Sequence, residues 1–399
     1  MVISLNSQNS PSSQHSLSSL ELFCGTGGLA LGLHQAGFEP IALIDWDKNC
    51  CDNLLANIAR GYGGLSNWNV IQTDARMVNY SDFESDVKFL SGGPPCQPFS
   101  LGGKHRANRD ARDMFPEAVR AVRELKPIGF IFENVKGLLR PSFSPYFRYI
   151  LLQLTHPELA SKSEMEWRGH LKLLEDYNAS KHHSGLEYDV VFRLVNAADY
   201  GIPQMRYRLI IVGFRKDLNA NWSFPQASHF KEALDYAKFG DGSYWEEHKV
   251  AKKDRPCAIR KSFDFPYAKQ RWRTVRDALS GLGEPQKGVN FGFVNHEYRS
   301  GARPYAGHCG SLLDEPSKTI KAGVHGVPGG ENMIVLDDGA LRYYTVRESA
   351  RIQTFPDDYH FYSSWSKCMR QIGNAVPVRL SAIIGKSIME KLKYKIGSS

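Results

Sequence analysis

The sequence predicts an α/β protein: a mostly parallel, twisted sheet covered by helices, with a second, smaller and irregular domain beside it. Three observations predict this. From Leu17 to Gly213, short apolar β-type runs alternate with helical patterns, the signature of strands joined by crossover helices. From Arg215 to Ala340 the alternation stops and Gly, Pro, aromatic and basic residues dominate, and after Leu341 helical patterns return. At 399 residues and 42% hydrophobic content, the chain can bury a full-sized core and leave material for a lesser domain.

The elements follow in order. The opening SLNSQNSPSSQHS is polar, Ser-rich and aperiodic, so residues 1–16 are expected to be a disordered tail. LSSLELF is the first strand, an apolar stretch follows around Leu29–Gly37, and PIALID, NVIQTD and VKFL are the next strands. Pro116–Leu125 reads as a helix, GFIF as a buried strand, and DVVFRLV and RLIIVG as two more, which predicts a sheet of about six or seven strands. Between Gly137 and Glu187, FRYILLQL and WRGHLKLLEDY read as helical decoration. The expected organisation is a first part of the α/β domain over 17–214, a separate irregular domain over 215–340, and a return to the first domain over 341–399.

Composition narrows the class. Lys and Arg number 50 against 42 Asp and Glu, a net charge of +8, which favours a polyanionic partner. Lys249–Arg276 is densely basic and interleaved with Phe263, Phe265, Tyr267 and Trp272, a pattern that suits a phosphate-tracking surface as well as a solvated face. The seven cysteines show no repeating paired spacing, so neither a disulfide framework nor a zinc site is expected, and no metal. No cleavable signal is visible, and no apolar run reaches the roughly 18 to 20 residues of a membrane span. A reducing, cytoplasmic location and no membrane partner are expected.

Phe23-Cys24-Gly25-Thr26-Gly27-Gly28 follows the first strand and opens a helix, where glycines allow a ligand close to the backbone and the helix N-terminus. Such turns serve dinucleotides, S-adenosylmethionine and plain packing alike. Two later features add to it. Asp45 ends the second strand at the offset suited to a ribose hydroxyl, and Trp46 beside it offers a face to an adenine. Asp74 ends the third strand, where a carboxylate would accept from an adenine amino group.

Gly92-Gly93-Pro94-Pro95-Cys96-Gln97-Pro98-Phe99-Ser100 follows the strand VKFL. Prolines on both sides fix the backbone and place the thiol of Cys96 on a loop, so it is a candidate nucleophile rather than a packing residue. GFIF ends in Glu133-Asn134-Val135, which would bring a carboxyl near that thiol.

PPCQPFS followed by ENV resembles the cytosine-5 DNA methyltransferase family, in particular the modification enzymes of type II restriction systems. The resemblance extends to FCGTGG, to Asp45-Trp46, to DYGIPQMRYR at Asp199–Arg208, to TVRESARIQTFP at Thr345–Pro356 and to QIGNAVP at Gln371–Pro377. These blocks stand in the family's usual order and bracket a variable region of the expected size.

The resemblance implies a Rossmann-like, S-adenosylmethionine-dependent methyltransferase domain and, over 215–340, a target-recognition domain. It implies transfer of a methyl group to carbon 5 of a specific cytosine in double-stranded DNA, with Cys96 adding to carbon 6 and Glu133 acting at N3. Arg206 and Arg208, alternating along one face of the strand Gln204–Gly213, would stabilise charge near O2 and orient Glu133. Phe23, Gly25, Gly27, Gly28, Asp45, Trp46, Asp74, Ala75, Pro94, Asn374 and Val376 would form the cofactor pocket, Ala75 occupying a position that is often larger and more apolar in the family. Ser100, Arg106, Arg112, Gln204 and Thr319 are the expected DNA contacts, Arg106 and Arg112 lying in a Leu101–Met114 stretch that resembles the mobile active-site loop. Thr319 belongs to a Ser317–Ile320 segment resembling the one that holds backbone phosphate, and the Gly-rich Ala322–Asn332 would be a groove-facing loop.

Base flipping, a monomeric chain, nucleoid-associated use in a prokaryote and pairing with a restriction endonuclease are implied as well. Two other readings stand beside this one. An RNA cytosine-5 methyltransferase would share the fold, but the long basic, aromatic region favours duplex DNA. A catalytically silent DNA-binding regulator would have no reason to keep Cys96, Glu133 and Arg206 together.

Overall fold

The computed structural model describes residues 16–83, 86–95, 113–161, 165–180, 184–256, 269–288, 292–304, 309–323 and 332–396. The expected tail lies outside these residues except for Ser16. So do much of the basic Lys249–Arg276 stretch and most of the Gly-rich Ala322–Asn332 segment.

The first part of the chain runs β1 (Leu17–Leu22), α1 (Gly28–Gln35), β2 (Phe38–Asp45), α2 (Lys48–Ala59), β3 (Val70–Gln72), β4 (Phe89–Gly92), α3 (Phe115–Leu125) and β5 (Gly129–Val135). It continues with α4 (Ser144–Thr155), α5 (Trp167–Ala179), β6 (Tyr188–Asn196) and β7 (Tyr207–Arg215). The intervening region carries β8 (His229–Phe230), α6 (Lys231–Phe239), α7 (Ser243–Glu247), β9 (Gln270–Arg271), α8 (Val275–Leu279), β10 (Ser311–Leu312) and β11 (Met333–Val335). The chain closes with β12 (Leu341–Tyr343), α9 (Val346–Ile352), α10 (Trp365–Asn374) and α11 (Val378–Ile396).

Among the described residues, seven strands form one sheet in the order β3-β2-β1-β4-β5-β7-β6. The pairs β1–β2, β2–β3, β1–β4 and β4–β5 are parallel, while β7 runs antiparallel to both β5 and β6. The antiparallel return follows from chain length: a parallel crossover needs a dozen or more residues, and β6 and β7 are joined only by residues 197–206, a 3-10 turn that bends back at Gly201 with φ 77. The strand order reverses between β1 and β4, so a crevice opens at the carboxyl ends of these strands, where open α/β sheets bind ligands.

Side chains alternate across the sheet with period two and separate two cores. Phe130, Phe132, Leu209 and Ile211 face α3, α4 and α5 through Val119, Val122, Leu154 and Leu174. Ile131, Ile210 and Val212 face α1 and α11 through Leu29, Leu33, Leu380, Ile384 and Ile388. A third core joins Leu43 and Leu54 to Val346, Ile352, Tyr359 and Ile372, and takes in Val275, Ile320 and Ile334 from the intervening region. That region also has a small cluster of its own around Leu234, Tyr244 and Trp245. No helix among the described residues is long and apolar enough to cross a membrane.

Candidate active site and cofactor cleft

Among the described residues, Asp45, Asp74 and Glu133 lie at or near the carboxyl ends of β2, β3 and β5. The chain leaving β1 turns through Phe23 (φ 56), Gly25 (φ 54) and Gly27 (φ 81), and the left-handed backbone at three positions bends it into a loop before α1 begins. Asp45, at the end of β2, ties that loop down. Its Oδ2 accepts from the Gly25 N–H at 2.7 Å and its Oδ1 from the Asp47 N–H at 2.8 Å. The Trp46 N–H bonds the same carboxylate, which still keeps acceptor capacity for one further donor such as a ribose hydroxyl. Burial raises the Asp45 carboxyl above its ordinary value, against the lowering effect of these N–H groups.

The far wall comes from the C-terminal part of the chain. A Cβ added at Gly28 would lie 2.4 Å from the Val376 carbonyl oxygen, so the start of α1 touches the segment that follows α10. Asn374, the last residue of α10, is exposed there. Trp46 and Met77, following β2 and β3, are 74% and 78% exposed, leaving large apolar surfaces in solvent beside the loop. Between them, Asp74 accepts from the Arg76 N–H at 2.9 Å and pairs with its guanidinium, which holds the carboxyl below its ordinary value. Ala75 is buried, and its carbonyl oxygen accepts from Arg120 Nη2 at 2.7 Å.

Arg120 is a residue that the sequence reading did not find. Its guanidinium also reaches the Val78 carbonyl at 3.1 Å and lies over the Tyr80 ring at 4.5 Å, so α3 braces the Asp74–Val78 edge of the cleft. In the sequence it appears only as a partner of Glu117 and Glu124 at helical spacing. Glu21 in β1 was likewise missed. It is buried, accepts from Ser91 Oγ at 3.0 Å, and burial pushes its carboxyl up to about 8.

A second corner forms where β4 and β5 end and the antiparallel β7 begins. Val135 pairs with Arg208 across the β5–β7 ladder, and the Arg208 Nε donates to Glu133 Oε1 at 2.6 Å. Burial pulls the Arg208 guanidinium below its ordinary value, and Glu133 opposes that pull. A Cβ added at Gly93 would lie 3.5 Å from Glu133 Oε2, and Asn134 Nδ2 donates to the Pro94 carbonyl at 3.2 Å. The segment that leads into Cys96 is therefore held beside the Glu133 carboxylate. Cys96, Ser100, Arg106 and Arg112 themselves lie outside the described residues.

Two expectations are corrected by this geometry. Arg206 does not join Arg208 at Glu133. It precedes β7, is fully buried, and donates to the carbonyls of Ile320 (3.1 Å), Gly373 (2.6 Å) and Ala375 (3.0 Å). Gln204 is not on the surface, where a DNA contact was expected. It is also fully buried, with Nε2 donating to Gln353 Oε1 at 2.8 Å and Oε1 accepting from the Ile320 N–H at 2.9 Å. Both side chains satisfy buried backbone groups that would otherwise be stranded. Thr319 is exposed in part, and its hydroxyl donates to the Met205 carbonyl at 2.8 Å.

A glycine loop beside the sheet's switch point, acids at or just past two strand ends and a separate Glu–Arg pair on β5 and β7 suit a methyltransferase-type α/β enzyme. The family model described as C-5 cytosine-specific DNA methylase matches residues 17–158 and 170–390, and the chain belongs to that family. It is a DNA cytosine-5 methyltransferase, with S-adenosylmethionine as methyl donor. Among its relatives, the type II methyltransferase M.PspPI of Psychrobacter sp. (strain TA137) is 34% identical over 388 residues, covering 96% of this chain and 80% of that one. M.NgoMIV of Neisseria gonorrhoeae is 27% identical over 387 residues, covering 94% and 98%. The crystal structure of a prophage-encoded putative DNA modification methyltransferase from E. coli shares the fold, with TM-score 0.58 at 21% identity, covering 95% of this chain and all (100%) of that one.

The cleft fits the methyl donor: the bent loop leaves backbone close to any occupant, Asp45 retains acceptor capacity, and Trp46 and Met77 present apolar faces. Bound there, the donor supplies an activated methyl group. Phe23, Gly25, Asp45 and Trp46 would hold it from one side and Asn374–Val376 from the other.

Proposed function

We propose that this enzyme methylates its target cytosine through a covalent adduct with Cys96 on a base flipped out of the duplex. The observation that carries the reading is the Glu133–Arg208 pair, 2.6 Å apart, standing beside Gly93 at the head of the segment leading to Cys96.

Carbon 5 of cytosine is a weak nucleophile and carbon 6 a weak electrophile until N3 is protonated or strongly hydrogen-bonded. Glu133 supplies that polarisation: Arg208 holds Oε1, leaving Oε2 to face N3 and share a proton with it. The Cys96 thiolate forms a bond to carbon 6, and the ring electrons move toward N3, making carbon 5 enamine-like. Carbon 5 then takes the methyl group while still carrying its hydrogen. A base removes that proton, the carbon 5–carbon 6 double bond re-forms, and the thiolate leaves. Neither face of carbon 6 is open to a thiol inside a stacked duplex, so the base must leave the stack first.

The names of the relatives, type II methyltransferases, support a role in marking DNA against a cognate restriction endonuclease. Position-resolved 5-methylcytosine sequencing of DNA from cells expressing the chain maps the site. DNA methylated there is expected to resist cleavage by an endonuclease of the same specificity. The chain is expected to act as a monomer, which sedimentation of the DNA complex checks.

The covalent step has its own test. A duplex with 5-fluorocytosine at the mapped position cannot lose its carbon 5 substituent, so with S-adenosylmethionine the enzyme is expected to form a complex that survives denaturing electrophoresis. Cys96→Ser is expected to abolish both transfer and trapping while leaving DNA and cofactor binding largely intact. Glu133→Gln is expected to slow transfer by roughly 10²–10⁴-fold, the range for loss of a general acid. Failure of active wild-type enzyme to trap would falsify the covalent route. Trapping on RNA alone would keep the chemistry and overturn the substrate.

A further inference from the structure

Arg206 raises a physical problem. Its guanidinium is fully buried, yet its hydrogen-bond partners are three backbone carbonyls rather than a carboxylate, and its Nε has no partner. Removing such a charge from water is costly, and a well-packed apolar side chain of similar volume is often neutral or better for stability. Stability is therefore a poor explanation for an arginine here. What a guanidinium offers that an apolar group or an ammonium does not is a rigid planar fork, able to fix several acceptors relative to one another.

The three acceptors belong to two segments with different tasks. Ile320 directly follows Thr319, in the Ser317–Ile320 segment read as the phosphate-contacting one. Gly373 and Ala375 flank Asn374 and lead into Val376, whose carbonyl abuts Gly28 of the cofactor loop. The neighbouring bonds belong to the same joint. Gln204 connects the Ile320 N–H to Gln353, and Gln353 Nε2 donates to the carbonyls of Ile372 (2.6 Å) and Ala375 (3.0 Å). On the other side, the Met205 N–H donates to the Ser317 carbonyl at 2.8 Å, and the Met205 carbonyl accepts from the Thr319 hydroxyl at 2.8 Å. There is no slack between the two segments: a Cβ at Gly373 would lie 2.5 Å from the Ala322 nitrogen.

We propose that Arg206 is a positioning residue that locks the DNA-facing segment Ser317–Ile320 to the cofactor wall Gly373–Val376, so that occupancy of either site is transmitted to the other. The proposal rests on the reading of these two segments as DNA and cofactor contacts. A ligand pressing on Asn374–Val376 moves the carbonyls of Gly373 and Ala375. Through the fork of Arg206 it moves the Ile320 carbonyl and with it Thr319. Coupling between two sites is reciprocal in binding free energy, so DNA bound at Thr319 tightens the cofactor cleft by the same factor.

The test measures the affinity of S-adenosylhomocysteine with and without a duplex carrying the mapped site, in wild type, Arg206→Lys and Arg206→Met. The wild type is expected to bind it at least about fivefold more tightly in the presence of DNA, the low end of common coupling factors. Both variants are expected to reduce that factor to under about twofold, with the affinity measured without DNA changed less than about threefold. Their KM for DNA should rise more than kcat falls, the mark of a binding joint rather than a group acting on the base. Gly373→Ala strains the same joint while leaving the Arg206 side chain unaltered, so it keeps the test open if the arginine variants fold poorly, and it is expected to lower the coupling in the same way. Wild-type coupling in a folded Arg206 variant, or no coupling in the wild type, would overturn the proposal while leaving the cofactor cleft intact. If the wild type binds no S-adenosylhomocysteine at all, the cofactor-wall reading falls and the proposal falls with it.

Discussion

Glu21 stands 3% exposed in β1, under the cofactor loop, and accepts a hydrogen bond from Ser91. Burial pushes its carboxyl from 4.5 up to about 8, with a smaller contribution in the same direction from Asp45. The folded state therefore holds a proton that the unfolded chain releases, and stability falls as pH rises from about 4.5 to about 8, then levels off. Glu21→Gln keeps the shape and stays neutral, so it should escape this loss. The difference in unfolding free energy between variant and wild type is expected to move in the variant's favour between roughly pH 6 and pH 8. Urea unfolding at several pH values reads it, and a flat difference would assign the pH dependence elsewhere. Legibility at this scale was uneven. Asp45 drew notice because it ends a strand after a glycine loop, whereas Glu21 lies inside an apolar strand and belongs to no motif.

The helix pair α1–α11 shows how one element depends on a distant one. A Cβ at Gly32 would lie 2.3 Å from the Val378 carbonyl, 2.4 Å from Ser381 Cβ and 2.7 Å from the Ala382 nitrogen. In an isolated helix, Gly→Ala gains about 1 kcal/mol. Here the added methyl group meets backbone that cannot move aside without lifting α11, a cost of the order of 1–3 kcal/mol or more. Gly32→Ala is therefore expected to lower the thermal midpoint despite its better helix propensity. It should also weaken S-adenosylhomocysteine binding, because Gly28 and Val376 sit at the same seam. A calorimetric scan and a ligand titration check the two effects, and a raised midpoint would show that the helices have room to part. The sequence reading took the first segment as a helix opened by the glycine loop and the second as helical by its pattern, but had no signal for their contact.

At the scale of the molecule, the first and last parts of the chain form one body around the sheet. Residues beyond Ala340 supply Val346, Ile352, Tyr359 and Ile372 to the core containing Leu43 and Leu54, and Leu380, Ile384 and Ile388 to the core containing Leu29 and Leu33. Each buried Leu or Ile contributes on the order of 2–5 kcal/mol against truncation, so these residues together exceed the net stability of about 5–15 kcal/mol typical of a folded domain. A chain ending at Ala340 is expected to lose cooperative unfolding, even though every strand of the seven-stranded sheet lies before it. Circular dichroism through a denaturant series decides this, and a sharp transition in the shortened chain would make the last segment an accessory.

What the sequence determined by itself was local in origin. Short apolar runs marked the strands, helical patterns the helices, and Gly and Pro the loops that follow β1 and β4, because backbone geometry and turn chemistry act over a few residues. Strand ends carrying Asp45, Asp74 and Glu133 then fell on one edge as a consequence of parallel topology. Tertiary structure decided the rest. Arg206 and Arg208 are two positions apart and alike in sequence, yet Arg208 meets Glu133 while Arg206 meets carbonyls 114, 167 and 169 residues away. Gln204, read as a DNA contact, is taken into the same joint by Gln353, 149 residues on. Side chains of one type, on one short stretch, are assigned different work by partners that only the folded chain brings within hydrogen-bonding distance.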